Sequence, residues 1–153
     1  MDSPAAYFWI FFAFLTCGNL PFLISDLVFA ASGNLCTIYP VPNISFTLQT
    51  WLEVDGYLRL SIVILFLLIA ILSCWNIDCA LMFLYCAKVF MFFYSLFNFS
   101  WLIVGSVMFW GYLNDQAGCN GTNVADYMFA VLIIGFLGTC GNCYFSYKNK
   151  QGN

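Results

Sequence analysis

Between Ala80 and Tyr112 the chain carries a single charge, Lys88, in 33 residues. As a helix at ~1.5 Å per residue the run reaches ~50 Å, against a bilayer hydrocarbon core of ~30 Å. A soluble domain of 153 residues has no interior large enough to cover such a helix on every side. The run therefore reads as a membrane-crossing helix, with its membrane portion over about 89–111 and a cytoplasmic overhang near Lys88.

The rest of the chain agrees. Only 7% of its residues are charged, where soluble domains carry about 25%. Lipid must replace water as the solvent for most of the surface, and the backbone must then satisfy its own hydrogen bonds. Three further apolar runs stand beside the first. The reading is an all-α membrane protein, a four-helix bundle with a small extracellular or lumenal cap. Its spans lie over about 5–31, 58–75, 80–112 and 124–145, and its outer loops over 32–57 and 113–123. Asp2 stands where a signal peptide would carry positive charge, so the first run is expected to remain as span one. Pro21 is expected to kink or locally unwind it. Residues 76–79 read as a tight turn, and the tail SYKNKQGN as short and basic.

Orientation follows from the basic residues. Lys88, Lys148 and Lys150 fall on one side and Arg59 near the other, which puts both termini in the cytoplasm. The compartment is the plasma membrane or an endomembrane. The sequons at Asn43 and Asn120 then face outward, where glycosylation occurs. A third, at Asn98, is buried in span three and should stay unmodified. Trp51 and Tyr57 are expected at headgroup level, and Arg59 is expected to snorkel to the interface.

Cys36 and Cys119 are the two cysteines of the outer loops. An oxidising outer face favours a disulfide between them, tying one loop to the other. Cys74, Cys79, Cys86, Cys140 and Cys143 gather near the inner face. They are candidates for reversible palmitoylation, with small apolar filler as the plainer reading. Cys140 and Cys143 form a C-x-x-C, but no second pair stands at zinc-site spacing, so neither metal nor cofactor is expected.

Gly135 and Thr139 form a small-xxx-small pair in span four, with Gly138 on the adjoining face. Gly105 and Ser106 are candidates to meet them from span three. Such strips let helix backbones approach, either inside one chain or between subunits. Two polar residues lie within the spans. Asp26 is either an interfacial residue or an intramembrane carboxylate facing a cavity. Asn98, with Ser95 and Ser100 nearby, reads as hydrogen-bonding glue between helices.

An ordered set of these residues resembles the transmembrane protein 272-like family of four-span proteins. It comprises Pro21, Cys36 and the segment Trp51-Leu52-Glu53-Val54-Asp55-Gly56, then Trp101-Leu102-Ile103-Val104-Gly105-Ser106-Val107, Cys119 and Tyr127-Met128-Phe129-Ala130. The resemblance runs from Pro21 to Phe145. It departs where the family tends to have Cys-Pro, since Thr37 follows Cys36. It implies a four-span topology and no particular activity.

Histidine is absent and the acids are scattered, so a membrane enzyme is not expected. With four basic residues there is no footprint for nucleic acid. The expected function is assembly, as a structural or accessory subunit with the bilayer, copies of itself or other membrane proteins as partners. The alternative is a pore-forming subunit of an oligomeric channel or transporter, for which Asp26, Asn98 and Asn142 are the available polar side chains.

Overall fold

The computed structural model describes residues 4–42, 44–114, 116, 118–119 and 121–151, and of Pro4 and residues 142–151 the backbone alone. Every regular element among them is helical. The order is α1 (Pro4–Ala31), a short α2 (Leu35–Ile38), α3 (Leu48–Trp75), α4 (Ile77–Met108) continued by a π-helical turn (Phe109–Leu113), and α5 (Asn123–Gln151). Four of these helices are long and apolar enough to cross a membrane, over Ala5–Ala31, Leu48–Trp75, Ile77–Leu113 and Asn123–Gly141.

The chain forms two compact units. The first comprises residues 1–32 and 49–95. Here α1 and α3 run antiparallel. Trp9 of α1 donates its indole N–H to Cys74 Sγ at 3.1 Å, Phe11 meets Phe66 edge to face at 5.3 Å, and Leu27 lies beside Gly56. Residue numbers rise along α1 as they fall along α3, which fixes the sense of the pair. The core is Ile62, Phe66, Ile69 and Ala87, flanked by Phe8, Phe12, Leu15, Leu84 and Tyr94. A single residue, Asn76, separates α3 from α4. Its Oδ1 accepts from the Asp78 and Cys79 N–H groups at 2.9 and 3.2 Å, which caps α4.

The second unit comprises residues 33–48 and 96–153. Cys36 and Cys119 come together in it at disulfide distance, with Cα atoms 4.5 Å apart. Asn34 caps α2 through the Cys36 N–H, and Thr122 caps α5 through the Ala125 N–H. Leu102 of α4 packs onto α5 at Gly135, where an added Cβ would stand 2.7 Å from Leu102 Cδ2. Phe97, Trp101 and Phe46 stack in sequence, with centroids 5.6 and 5.5 Å apart.

Several boundaries differ from the sequence reading. Helix α3 begins at Leu48 and not at Leu58, so the first loop is shorter. Leu48, Trp51, Leu52 and Asp55 recur at helical spacing and are all buried, which marks one helix face. Trp51, expected at headgroup level, is fully buried, while Tyr57 is exposed. The expected turn at 76–79 shrinks to Asn76, because the Asn cap lets α4 start at once. Helix α1 continues through Pro21 without a break. The backbone of the expected tail is helical to Gln151.

Because Leu102 fills the notch at Gly135, Gly135→Val is expected to destabilise the chain by about 1–3 kcal/mol through overpacking. Gly138→Ala, with nothing within 4 Å of the added Cβ, should raise thermal stability in mild detergent slightly, since alanine favours the helix by about 0.5–1 kcal/mol. Differential scanning fluorimetry of the two variants checks this pair of outcomes.

Candidate functional site

The most polar place inside the apolar helices lies in the first unit. Asp26 of α1 and Asp55 and Arg59 of α3 form one ionic group. Arg59 Nη2 lies 2.7 Å from Asp55 Oδ2, and Arg59 Nε donates to the same oxygen at 2.8 Å. That Nε is also 3.2 Å from Asp26 Oδ2. The guanidinium sits over the Phe22 ring, 5.2 Å from its centroid, in a cation–π contact. Tyr94 of α4 is near enough to interact electrostatically with all three charged groups.

Local sequence explains the geometry. Asp55 and Arg59 are four residues apart on one helix, which places them on the same face, one turn apart. Asp26 reaches them because α3 comes close to α1 at Gly56. A Cβ there would lie 3.0 Å from Leu27 Cδ2 and 3.4 Å from Asp26 Cβ. The glycine is what lets the two backbones approach at this level.

Burial decides how strongly the group matters. The Asp26 and Asp55 side chains are 0% and 2% exposed, and Arg59 is 18% exposed. Two carboxylates and one guanidinium leave a formal charge of −1 on the group. In low-dielectric surroundings each charge is tolerated only because the others are present. The group does not resemble an acid–base pair for catalysis, since its donors and acceptors are turned on one another.

The sequence reading had these residues apart. Read along the chain alone, Arg59 reaches out to an interface and Asp55 belongs to a loop. The signal that finds them is the i, i+4 spacing of Asp55 and Arg59 once 48–57 is read as helix. Asp26, one of three polar side chains available to a pore, is held here by Arg59.

The other candidates are dispersed. Cys36 and Cys119 are brought together, as described above. Asn43 and Asn120 lie outside the described residues. Asn98 is half-buried, and among the described residues it has no hydrogen bond to another helix. Ser100 Oγ turns back to the Leu96 carbonyl at 3.0 Å, and Ser95 is exposed. In α5 Thr139 Oγ1 donates to the Gly135 carbonyl at 2.9 Å, and Gly138 is open. Gly105 is buried, and Ser106 Oγ donates to the Leu102 carbonyl at 2.7 Å. Cys74, Cys86 and Cys140 are exposed and Cys79 half-buried, while the Cys143 side chain lies outside the described residues. Cys17, which the sequence reading passed over, is also free and exposed. A cavity of about 250 Å3 between Tyr7, Phe8, Phe11, Phe66 and Leu84 is lined by apolar surface.

No family model, curated protein or solved structure matches this chain.

Arg59→Met strands two buried carboxylates, and it is expected to cost about 3–5 kcal/mol. Replacing the whole group, as Asp26→Leu, Asp55→Leu and Arg59→Met together, should restore most of that loss. Equilibrium unfolding in detergent measures both. A single variant as stable as the parent would mean that the group contributes nothing.

Proposed function

We propose that the chain is an integral membrane protein that crosses the bilayer four times and acts by assembly, as a structural or accessory subunit of a homo-oligomer or a larger membrane complex. In lipid the hydrophobic effect does not drive helices together, so close approach at small residues takes over. The observation that carries the reading is on α5. Gly135 is filled by Leu102 of the same chain, whereas Gly138 has nothing within 4 Å and stands between the exposed Ile134 and Leu137 and the open Gly141. This is a face on which a second helix can lie.

A consistent bilayer depth supports the four-span part of the reading. Asp55 and Trp75 are about 30 Å apart along α3, the thickness of the hydrocarbon. Trp75 is 86% exposed, as an interfacial aromatic would be. On α1 the rise from Tyr7 to Asp26 is about the same, with Tyr7 exposed. In the first unit the ionic group then marks one border and Tyr7 with Trp75 the other. Lys148 and Lys150 favour the cytoplasm for both termini and for Asn76. Cys36 and Cys119 fall on the outer side, where a disulfide persists, and the first and second loops there form the small cap. Cys74 and Cys79 near Asn76 are the cysteines best placed for palmitoylation. The resemblance to the transmembrane protein 272-like proteins is of the same four-span kind.

Native mass spectrometry from mild detergent tests assembly. An oligomer or a stoichiometric complex is expected, and Gly138→Ile should shift it toward the monomer. A parent protein that is strictly monomeric and carries no other subunit ends the reading.

A further inference from the structure

The bond between Cys36 and Cys119 ties down a segment whose own packing is slight. Cys36 lies in α2, a helix of four residues, and Cys119 lies just ahead of α5. Within α2 Cys36 and Thr37 are buried, but Leu35, Ile38 and the following Tyr39 are exposed. Among the described residues the hydrogen bonds of α2 stay inside it. The Cys36 N–H donates to Asn34 Oδ1, and the Thr37 hydroxyl and the Thr37 and Ile38 N–H groups donate to the Asn34 carbonyl. Few buried apolar contacts and no cross-links by hydrogen bonds are the marks of a segment that opens locally.

The two ends of this segment differ from its middle. It begins at Gly33, which has φ 59° and open space where a Cβ would be. Glycine takes that conformation without strain and leaves it as easily. The segment ends at Val41, which is buried, and beyond it Phe46 stacks on Trp101 and Leu48 is fully buried. Residues 34–40 are thus a short flap between a glycine pivot and a packed stretch, with the bond on the flap itself.

There is room beside the bond. Cys36 and Cys119 are buried, yet both line a cavity of about 270 Å3, with Tyr39, Leu113, Gln116 and Gly118 around them. An apolar cavity of about 150 Å3 in another protein takes up a molecule the size of benzene. This one has space for a small thiol. Leu113, at its floor, is fully buried while the flap is closed.

We propose that the Cys36–Cys119 bond is a redox latch: a low-molecular-weight thiol enters the cavity, cleaves the bond in the folded protein, and frees residues 34–40 while 41–48 and the long helices keep their packing. The thiolate attacks one sulfur and forms a mixed disulfide with it, expelling the other cysteine as a thiolate, which takes up a proton. A second thiolate attacks the mixed disulfide, leaves joined to the first, and frees the remaining cysteine. Two thiols are oxidised to one disulfide, and the protein's bond takes up their two electrons and two protons. The open flap uncovers Leu113 and the cavity above it. The latch lies within the second unit and is independent of how the chain assembles.

The test uses the full-length protein in mild detergent, with its free cysteines blocked beforehand by N-ethylmaleimide. 2-Mercaptoethanol is then added, and newly freed Cys36 and Cys119 are followed by alkylation and peptide mass spectrometry. The bond is expected to open severalfold faster than the protein unfolds in the same detergent. Hydrogen exchange should then rise over 34–39 and stay unchanged over 44–48 and α5. Gly118→Val narrows the cavity and should slow the opening severalfold. Tyr39→Ala removes an exposed ring from the cavity wall and should speed it. Opening no faster than unfolding overturns the proposal, as does a rate that neither variant moves. Protection lost through 44–48 and α5 would make the bond a staple of the whole unit, which also overturns it. So does a flap that stays protected after cleavage. A parent in which Cys36 and Cys119 both react with N-ethylmaleimide at the outset has no latch to open, and the proposal falls.

Discussion

A guanidinium shared by two carboxylates holds the first unit in register. Asp26 is on α1, and Asp55 and Arg59 are on α3, so the ion pair that crosses the two helices fixes how far one can slide along the other. Apolar side chains do this poorly, since a leucine packs about as well one turn up or down. A buried charge does it sharply, because displacement by one turn leaves it without a partner. The aromatic contacts farther along, Phe11 with Phe66 and Trp9 with Cys74, follow the same register. The ionic group contributes specificity of pairing more than net stability, and this suits a protein whose helices are otherwise nearly uniform in hydrophobicity.

Small residues set where backbones meet. Gly56 admits Leu27 and brings Asp26 within reach of Arg59, while Gly135 admits Leu102. In both places a side chain from the neighbouring helix occupies the space that a Cβ would take. Dispersion is short-ranged, so a gap of even an ångström loses much of it. At Gly138, by contrast, the space that a Cβ would take is open.

Arg59 and Lys88 show how context divides two residues that look alike in a linear reading. Each is a lone cation in an apolar stretch. Arg59 is four residues past an aspartate on the same helix and faces a second one across the helix pair. Lys88 has exposed aromatic neighbours and no acid among the described residues. The first is neutralised within the fold and serves it. The second carries its charge on the exposed face of an apolar helix.

The sequence by itself determined the four apolar helices, because helix length and hydrophobicity are sums over consecutive residues and require no knowledge of neighbours. It also singled out Cys36 and Cys119 by leaving no other cysteine in the two connecting loops. It concealed the early start of α3, since Gln49, Thr50, Glu53 and Asp55 make 48–57 look like a loop unless the buried spacing of Leu48, Trp51 and Leu52 is weighed first. Only the tertiary structure decided that Asp26, Asp55 and Arg59 form one group, and that Gly135 is filled while Gly138 is open. Those outcomes depend on which helix faces meet and at what height. That is settled by close packing between residues far apart in the chain, which no sum along the sequence contains.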